Sequence, residues 1–90
     1  MSTPKIQMYA SDWCPYCSRA RRLLQDKGVP FEEIDVDASP EARAQMLARG
    51  GGHTVPQVFI DDVHIGGCDE LLAHEAAGTL DPLIKPRKES

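Results

Sequence analysis

Residues 5–9 form a short, largely apolar run that predicts a first strand. Beyond Cys14-Pro15-Tyr16-Cys17 the period changes. Cys17, Ala20 and Leu24 fall on one helical stripe with Leu23 beside them, while Arg19, Arg22 and Lys27 make the opposite face basic. Gly28 ends this helix as a C-terminal cap and Pro30 forbids its return. In residues 31–37, Ile34 and Val36 alternate with Glu33, Asp35 and Asp37, which predicts a strand with one wet face.

Ser39-Pro40-Glu41 supplies an N-cap, a first-turn proline and an acid, opening a helix with Ala42 and Met46 on one side. Gly50-Gly51-Gly52 breaks it. Residues 57–60 and 63–65 predict two strands joined through Asp61-Asp62, a weaker hairpin signal than Asn-Gly. Gly66-Gly67 closes the second, and Cys68-Asp69-Glu70-Leu71-Leu72 begins a third helix running to about Gly78. The predicted order is βαβαββα. Residues 85–90 are polar with nothing to bury and are expected to be a disordered tail behind one domain spanning residues 1–84.

Ninety residues suffice for one core. The net charge of −4 lacks the basic excess of a nucleic-acid or acidic-membrane binder. The start, Met1-Ser2-Thr3-Pro4-Lys5-Ile6-Gln7-Met8, is not a basic segment followed by a long apolar run, and no stretch approaches the roughly 18 apolar residues of a span. A cytosolic chain is expected. Three cysteines are an odd count, which does not suit the even framework of a stapled secreted domain. In a reducing compartment a Cys-x-x-Cys is then catalytic or metal-binding rather than structural.

Cys14 and Cys17 lie where a strand gives way to a helix, so the two sulfurs share a face and the first lies over unpaired first-turn amides. Those amides and the positive end of the macrodipole favour the thiolate, which is the nucleophile. Cys14 is therefore the candidate nucleophile, its sulfur exposed between Trp13 and Pro15, and Cys17, a turn inside on the apolar stripe, the candidate resolving thiol. Two other readings use the same residues. One is a buried apolar pair, the other a zinc site completed by Cys68 with His64 or His74, although those three do not repeat the close ligand spacing of structural zinc sites.

Cys14-Pro15-Tyr16-Cys17, Thr54-Val55-Pro56 and Gly66-Gly67-Cys68-Asp69, in that order on that series of elements, make the chain resemble a dithiol glutaredoxin of the small bacterial type. The likeness runs from Lys5 to about Ile84. It implies an α/β, thioredoxin-like fold, a four-stranded mixed sheet flanked by helices. The implied reaction is reduction of protein disulfides and mixed disulfides, with glutathione as co-substrate and no metal.

The resemblance also assigns a glutathione site. Tyr16 would line the groove, a cis bond before Pro56 would turn the Val55 amide and carbonyl toward the ligand beside Thr54, and Gly67, Cys68 and Asp69 would receive its γ-glutamyl end. Arg43, eleven positions before Thr54, would hold the glycyl carboxylate. Glutathionylated or disulfide-containing proteins, ribonucleotide reductase among them, are the implied partners of a monomeric chain. Two alternatives within reach of the same motif are a donor served by thioredoxin reductase and an iron-sulfur carrier. Pro15-Tyr16 differs from the Gly-Pro of thioredoxins, and cluster-binding members mostly lack a proline there. This chain departs from the family at Ser11, where a lysine is usual, followed by acidic Asp12, and His53 beside Thr54 matches no family expectation.

Overall fold

The computed structural model describes residues 4–85. Eight elements follow in order: β1 (Ile6–Ala10), α1 (Pro15–Asp26), β2 (Glu32–Asp35), α2 (Pro40–Ala48), β3 (Gln57–Ile60), β4 (Val63–Gly66), α3 (Cys68–Ala77) and α4 (Leu80–Ile84). The strands form one mixed sheet in the order β2-β1-β3-β4, with β1 and β2 parallel and the other pairs antiparallel. The α1 connection carries β1 across to parallel β2, as such a pairing requires.

Period-two alternation divides the core between the two faces of the sheet. Ile6, Met8 and Ala10 of β1 and Val58 and Ile60 of β3 share one cluster with Cys17, Ala20 and Leu24 of α1, Leu71 of α3 and Leu80 and Ile84 of α4. Tyr9 and Phe59 point the other way and pack with Val36 and Met46. Their rings meet edge to face at 5.7 Å, a favoured aromatic geometry. Three helices thus cover one face of the sheet and α2 the other. The central strand β3 is buried at all four positions.

The predicted stripe of α1 is the buried one, and at about 1.5–3 kcal/mol for each large apolar side chain it outweighs the missing side-chain cap at the helix start. Ser39 caps α2 by accepting from the Ala42 amide at 3.3 Å. Asp61 and Asp62 both take positive φ, 51° and 68°, so the β3–β4 turn has the backbone that Asn-Gly usually provides.

Several expectations change. β1 lies one residue later than predicted, and β2 ends at Asp35, because the backbone turns before Asp37. Lys27, read as part of the basic face of the first helix, pairs with Glu75 at 2.7 Å and Asp81 at 2.8 Å. The short helix α4 was not predicted. Lys85, assigned to the tail, has its amide on Asp81 O and its ammonium on Lys27 O; residues 86–90 of that tail lie outside the described residues.

Candidate active site

Cys14 is the N-cap of α1, with extended backbone, and Pro15 enters the first turn without an amide to satisfy. Cys17 follows one turn later on the inner stripe. Both are free thiols. The loop from β1 holds them through one residue, Ser11, whose carbonyl accepts from the Cys14 amide and whose amide donates to Cys17 Sγ, both at 3.4 Å.

The expected exposure of Cys14 does not hold: only 6% of the residue is accessible, although its sequence neighbours Trp13 and Tyr16 are exposed at 74% and 54%. Its thiol points across the site and donates to Val55 O at 3.7 Å. The Val55–Pro56 peptide is cis.

The two sulfurs differ in acidity. Burial pushes Cys14 up, but the Cys17 amide, the Cys17 thiol and the Tyr16 amide together outweigh it and bring Cys14 below the ordinary thiol value. Cys17 goes the other way. Burial, reinforced by the thiol and charge of Cys14, raises it to about 11 against the opposing Ser11 amide and Arg21. Cys68 is also raised, by burial first and by Asp69 next.

An open groove of about 190 Å³ runs beside the thiols, smaller than the ~300–1,000 Å³ of drug-sized sites. Tyr16, Thr54, Val55, Pro56, Gln57, Gly67, Cys68, Asp69 and Glu70 line it. Every groove residue the resemblance named is therefore brought together except Arg43, whose guanidinium pairs with Asp37 Oδ1 at 3.1 Å. The Tyr16 ring is steadied by the Arg19 guanidinium 5.7 Å from its centroid.

Gln57 and Glu70 were not anticipated. Gln57 is buried and spans two neighbours, donating to Thr54 Oγ1 at 3.1 Å while its carbonyl oxygen lies 2.6 Å from His64 Nε2. Glu70 accepts from the Gly67 amide at 2.8 Å, closing half of a capping box. Gly67 is the N-cap of α3, so Asp69 stands inside the first turn and is not the cap. The Gly67 amide is already engaged, and the Cys68 and Asp69 amides belong to first-turn residues that line the groove and have no intrahelical partner. Of the histidines weighed for zinc, His64 meets Gln57 and His74 Nδ1 lies 2.7 Å from Thr79 Oγ1; among the described residues no three metal-ligating side chains are grouped.

Asp37 gathers the outer wall. It accepts from the Ser11 hydroxyl, from Trp13 Nε1 at 3.1 Å and from Arg43. The Ser11 hydroxyl first, then against some desolvation the Trp13 indole and Arg43, hold its carboxyl below the usual range.

Solved structures share the fold. The solution structure of glutaredoxin from Brucella melitensis superposes with a TM-score of 0.82 at 49% identity, over 100% of this chain and 98% of that one. The crystal structure of a buckwheat glutaredoxin-glutathione complex gives 0.81 at 32% identity, over 90% of this chain and 76% of that one. A thioredoxin-like fold carrying two adjacent thiols of unequal acidity defines a thiol-disulfide oxidoreductase. The Glutaredoxin family model matches residues 6–65, and a glutaredoxin of Pseudomonas aeruginosa is 52% identical over 81 residues, 90% of this chain and 96% of its own. The chain belongs to the glutaredoxin family.

Proposed function

We propose that this enzyme reduces protein disulfides and glutathione mixed disulfides at the expense of glutathione, with Cys14 as nucleophile and Cys17 as resolving thiol. The observation that carries the assignment is the opposed acidity of the two sulfurs: Cys14 lowered, Cys17 raised to about 11. Near neutrality Cys14 supplies the thiolate.

On a glutathionylated protein, Cys14 Sγ attacks the glutathione sulfur. A bond forms between Cys14 and glutathione, the protein-glutathione bond breaks, and the protein thiolate takes up a proton. A second glutathione thiolate then attacks the bound glutathione sulfur, forming glutathione disulfide and returning Cys14 as thiolate. On an ordinary protein disulfide, Cys14 bonds to one substrate sulfur and expels the other; Cys17 then attacks Cys14 Sγ, releasing the substrate as a dithiol. Two glutathiones reduce the resulting Cys14–Cys17 disulfide.

The groove supports this reading. Tyr16, Thr54, Val55, Pro56 and Gly67 offer a wall for a short peptide, the Cys68 and Asp69 amides suit a carboxylate, and the Asp69 side chain suits an ammonium. Arg43 is held to Asp37 through one nitrogen, and its remaining donors suit a glycyl carboxylate. The same reading has the chain act as a monomer in the cytoplasm on glutathionylated and disulfide-containing proteins, ribonucleotide reductase among them.

The test is turnover of a small glutathione mixed disulfide with glutathione and glutathione reductase. Cys14→Ser should fall to the uncatalysed background, whereas Cys17→Ser should keep this route and lose reduction of protein disulfides. Activity persisting in Cys14→Ser overturns the assignment.

A further inference from the structure

Asp37 reaches the redox site from outside the groove. The β1–β2 ladder ends with Ala10 opposite Asp35, the Val36 amide donates to Ala10 O at 3.0 Å, and the turn that follows β2 brings the Asp37 carboxylate to Ser11. One carboxylate oxygen, Oδ2, accepts from both the Ser11 hydroxyl and the Trp13 indole. The other, Oδ1, takes Arg43 of α2. Ser11 is almost wholly buried, and its peptide groups touch both cysteines: the amide donates to Cys17 Sγ and the carbonyl accepts from the Cys14 amide. Trp13 immediately precedes Cys14. A single carboxylate therefore grips the β1–α1 loop at two points, on either side of Asp12.

We propose that Asp37 is a positioning residue of the redox site, which holds Ser11 and Trp13 on one oxygen so that the Ser11 amide stays on the Cys17 sulfur and favours resolution. The inference rests on the assignment of Cys17 as resolving thiol. In that step Cys17 gives its proton to solvent base and its sulfur bonds to Cys14 Sγ. The bond from Cys14 to the substrate sulfur breaks, and the departing thiolate is protonated. Negative charge gathers on Cys17 before it attacks, and a donor on that sulfur is worth most at that moment. Cys14 and Arg21 also act on this sulfur, but neither is touched by Asp37. The glutathione-only route does not pass through Cys17. Asp37, which reaches the Cys17 sulfur through the Ser11 amide but Cys14 only through its backbone amide, therefore weighs more on the two-thiol route than on the other, a bias that a clamp serving stability alone would not give.

Two rates are compared in the full chain: reduction of insulin disulfides, which needs both thiols, and reduction of a small glutathione mixed disulfide, which needs one. Asp37→Ala should slow the two-thiol rate about three- to tenfold, a partial loss of one hydrogen bond to a charged group, while the one-thiol rate stays within about twofold. The rise of the two-thiol rate with pH should move upward, since Cys17 loses part of its donor. Asp37→Asn, whose carbonyl oxygen still accepts from Ser11 and Trp13 but no longer pairs with Arg43, should retain most of that rate. Trp13→Phe, which deletes one of the two grips, should fall between.

Equal losses on both routes, an unchanged ratio, or Asn as poor as Ala overturns the proposal. Should Asp37→Ala fail to fold, the ratio in Trp13→Phe decides: lowered supports the proposal, unchanged overturns it. Cys17→Ser separates the two levels of inference. If it abolishes the two-thiol route while Asp37→Ala leaves the ratio intact, only the role of Asp37 fails; if it keeps that route, the assignment of Cys17 fails.

Discussion

Cys14 and Cys17 lie one helical turn apart, yet their surroundings separate them. Cys14 stands at the open end of α1, where amides with no intrahelical partner face its sulfur, and Cys17 is pressed into the apolar cluster beneath the sheet. Burial raises both thiols, and only at Cys14 do the amide donors win. The raised thiol carries a consequence for stability. An unfolded Cys17 ionises near its ordinary 9.0 and the folded one near about 11. Folding therefore gains from the protonated thiol fully below pH 9, and that gain is lost as pH rises through 9 to 11. Urea unfolding of the reduced chain against Cys17→Ala at pH 8 and pH 11 should show the difference in stability shrinking at the higher pH. A difference that stays constant refutes the burial of an un-ionised thiol. The contrast between a Cys14 at the mouth of α1 and a Cys17 on its inner stripe is legible in the sequence, from strand-to-helix position alone. The burial of Cys14 is not, because it depends on the Val55 carbonyl, forty-one positions away.

At the scale of elements, the start of α3 builds one wall of the groove, and its geometry is tight. Gly66 has φ +126°, a region L side chains rarely adopt, and a Cβ there would lie 2.6 Å from Glu70 Cγ. Glu70 is the residue that accepts from the Gly67 amide. Gly66→Ala thus adds backbone strain of about 1–3 kcal/mol and displaces the carboxylate that closes the cap. The expected outcome is a lower denaturant midpoint together with a raised KM for glutathione, since the amides of Cys68 and Asp69 follow Glu70. A raised KM without loss of stability, or neither effect, contradicts this account. The pair Gly66-Gly67 is readable as the end of β4, and the spacing from Gly67 to Glu70 carries the capping signal behind this wall. Gln57 gave no such signal. A polar residue opening an apolar strand reads as a boundary, and its function arises only from β4, which brings His64 across to it. Asp37 was legible as a wet-face residue and not as a hydrogen-bond hub, since its partners come from the β1–α1 loop and from α2, which no local pattern around residue 37 encodes.

For the whole molecule the question is what closes the core on the three-helix side. The pattern of residues 79–84 is poor evidence for a helix, with Gly78 before it, Pro82 inside it and five residues in all. Such a segment is held by burial rather than propensity. Leu80 and Ile84, four apart and both fully buried, enter the same cluster as Cys14, Cys17 and Leu24. Polar ties surround them: Lys27 at the end of α1 pairs with Glu75 of α3 and Asp81 of α4, and Lys85 bonds to Lys27 O. Magnitude decides between the two. Partly exposed ion pairs contribute about 0–1 kcal/mol, whereas truncating a buried leucine costs about 2–5 kcal/mol, a large share of the roughly 5–15 kcal/mol available to a domain. Leu80→Ala should therefore lower the unfolding free energy by about 2–5 kcal/mol and Lys27→Ala by about 1 kcal/mol or less, both read from urea titration of the reduced chain. Because the redox thiols share that cluster, Leu80→Ala should also speed alkylation of Cys17 in the folded protein by opening the packing over it. Lys27→Ala should not. Equal destabilisation by the two substitutions would mean that the charged ties, and not the apolar seal, hold α4 against the sheet.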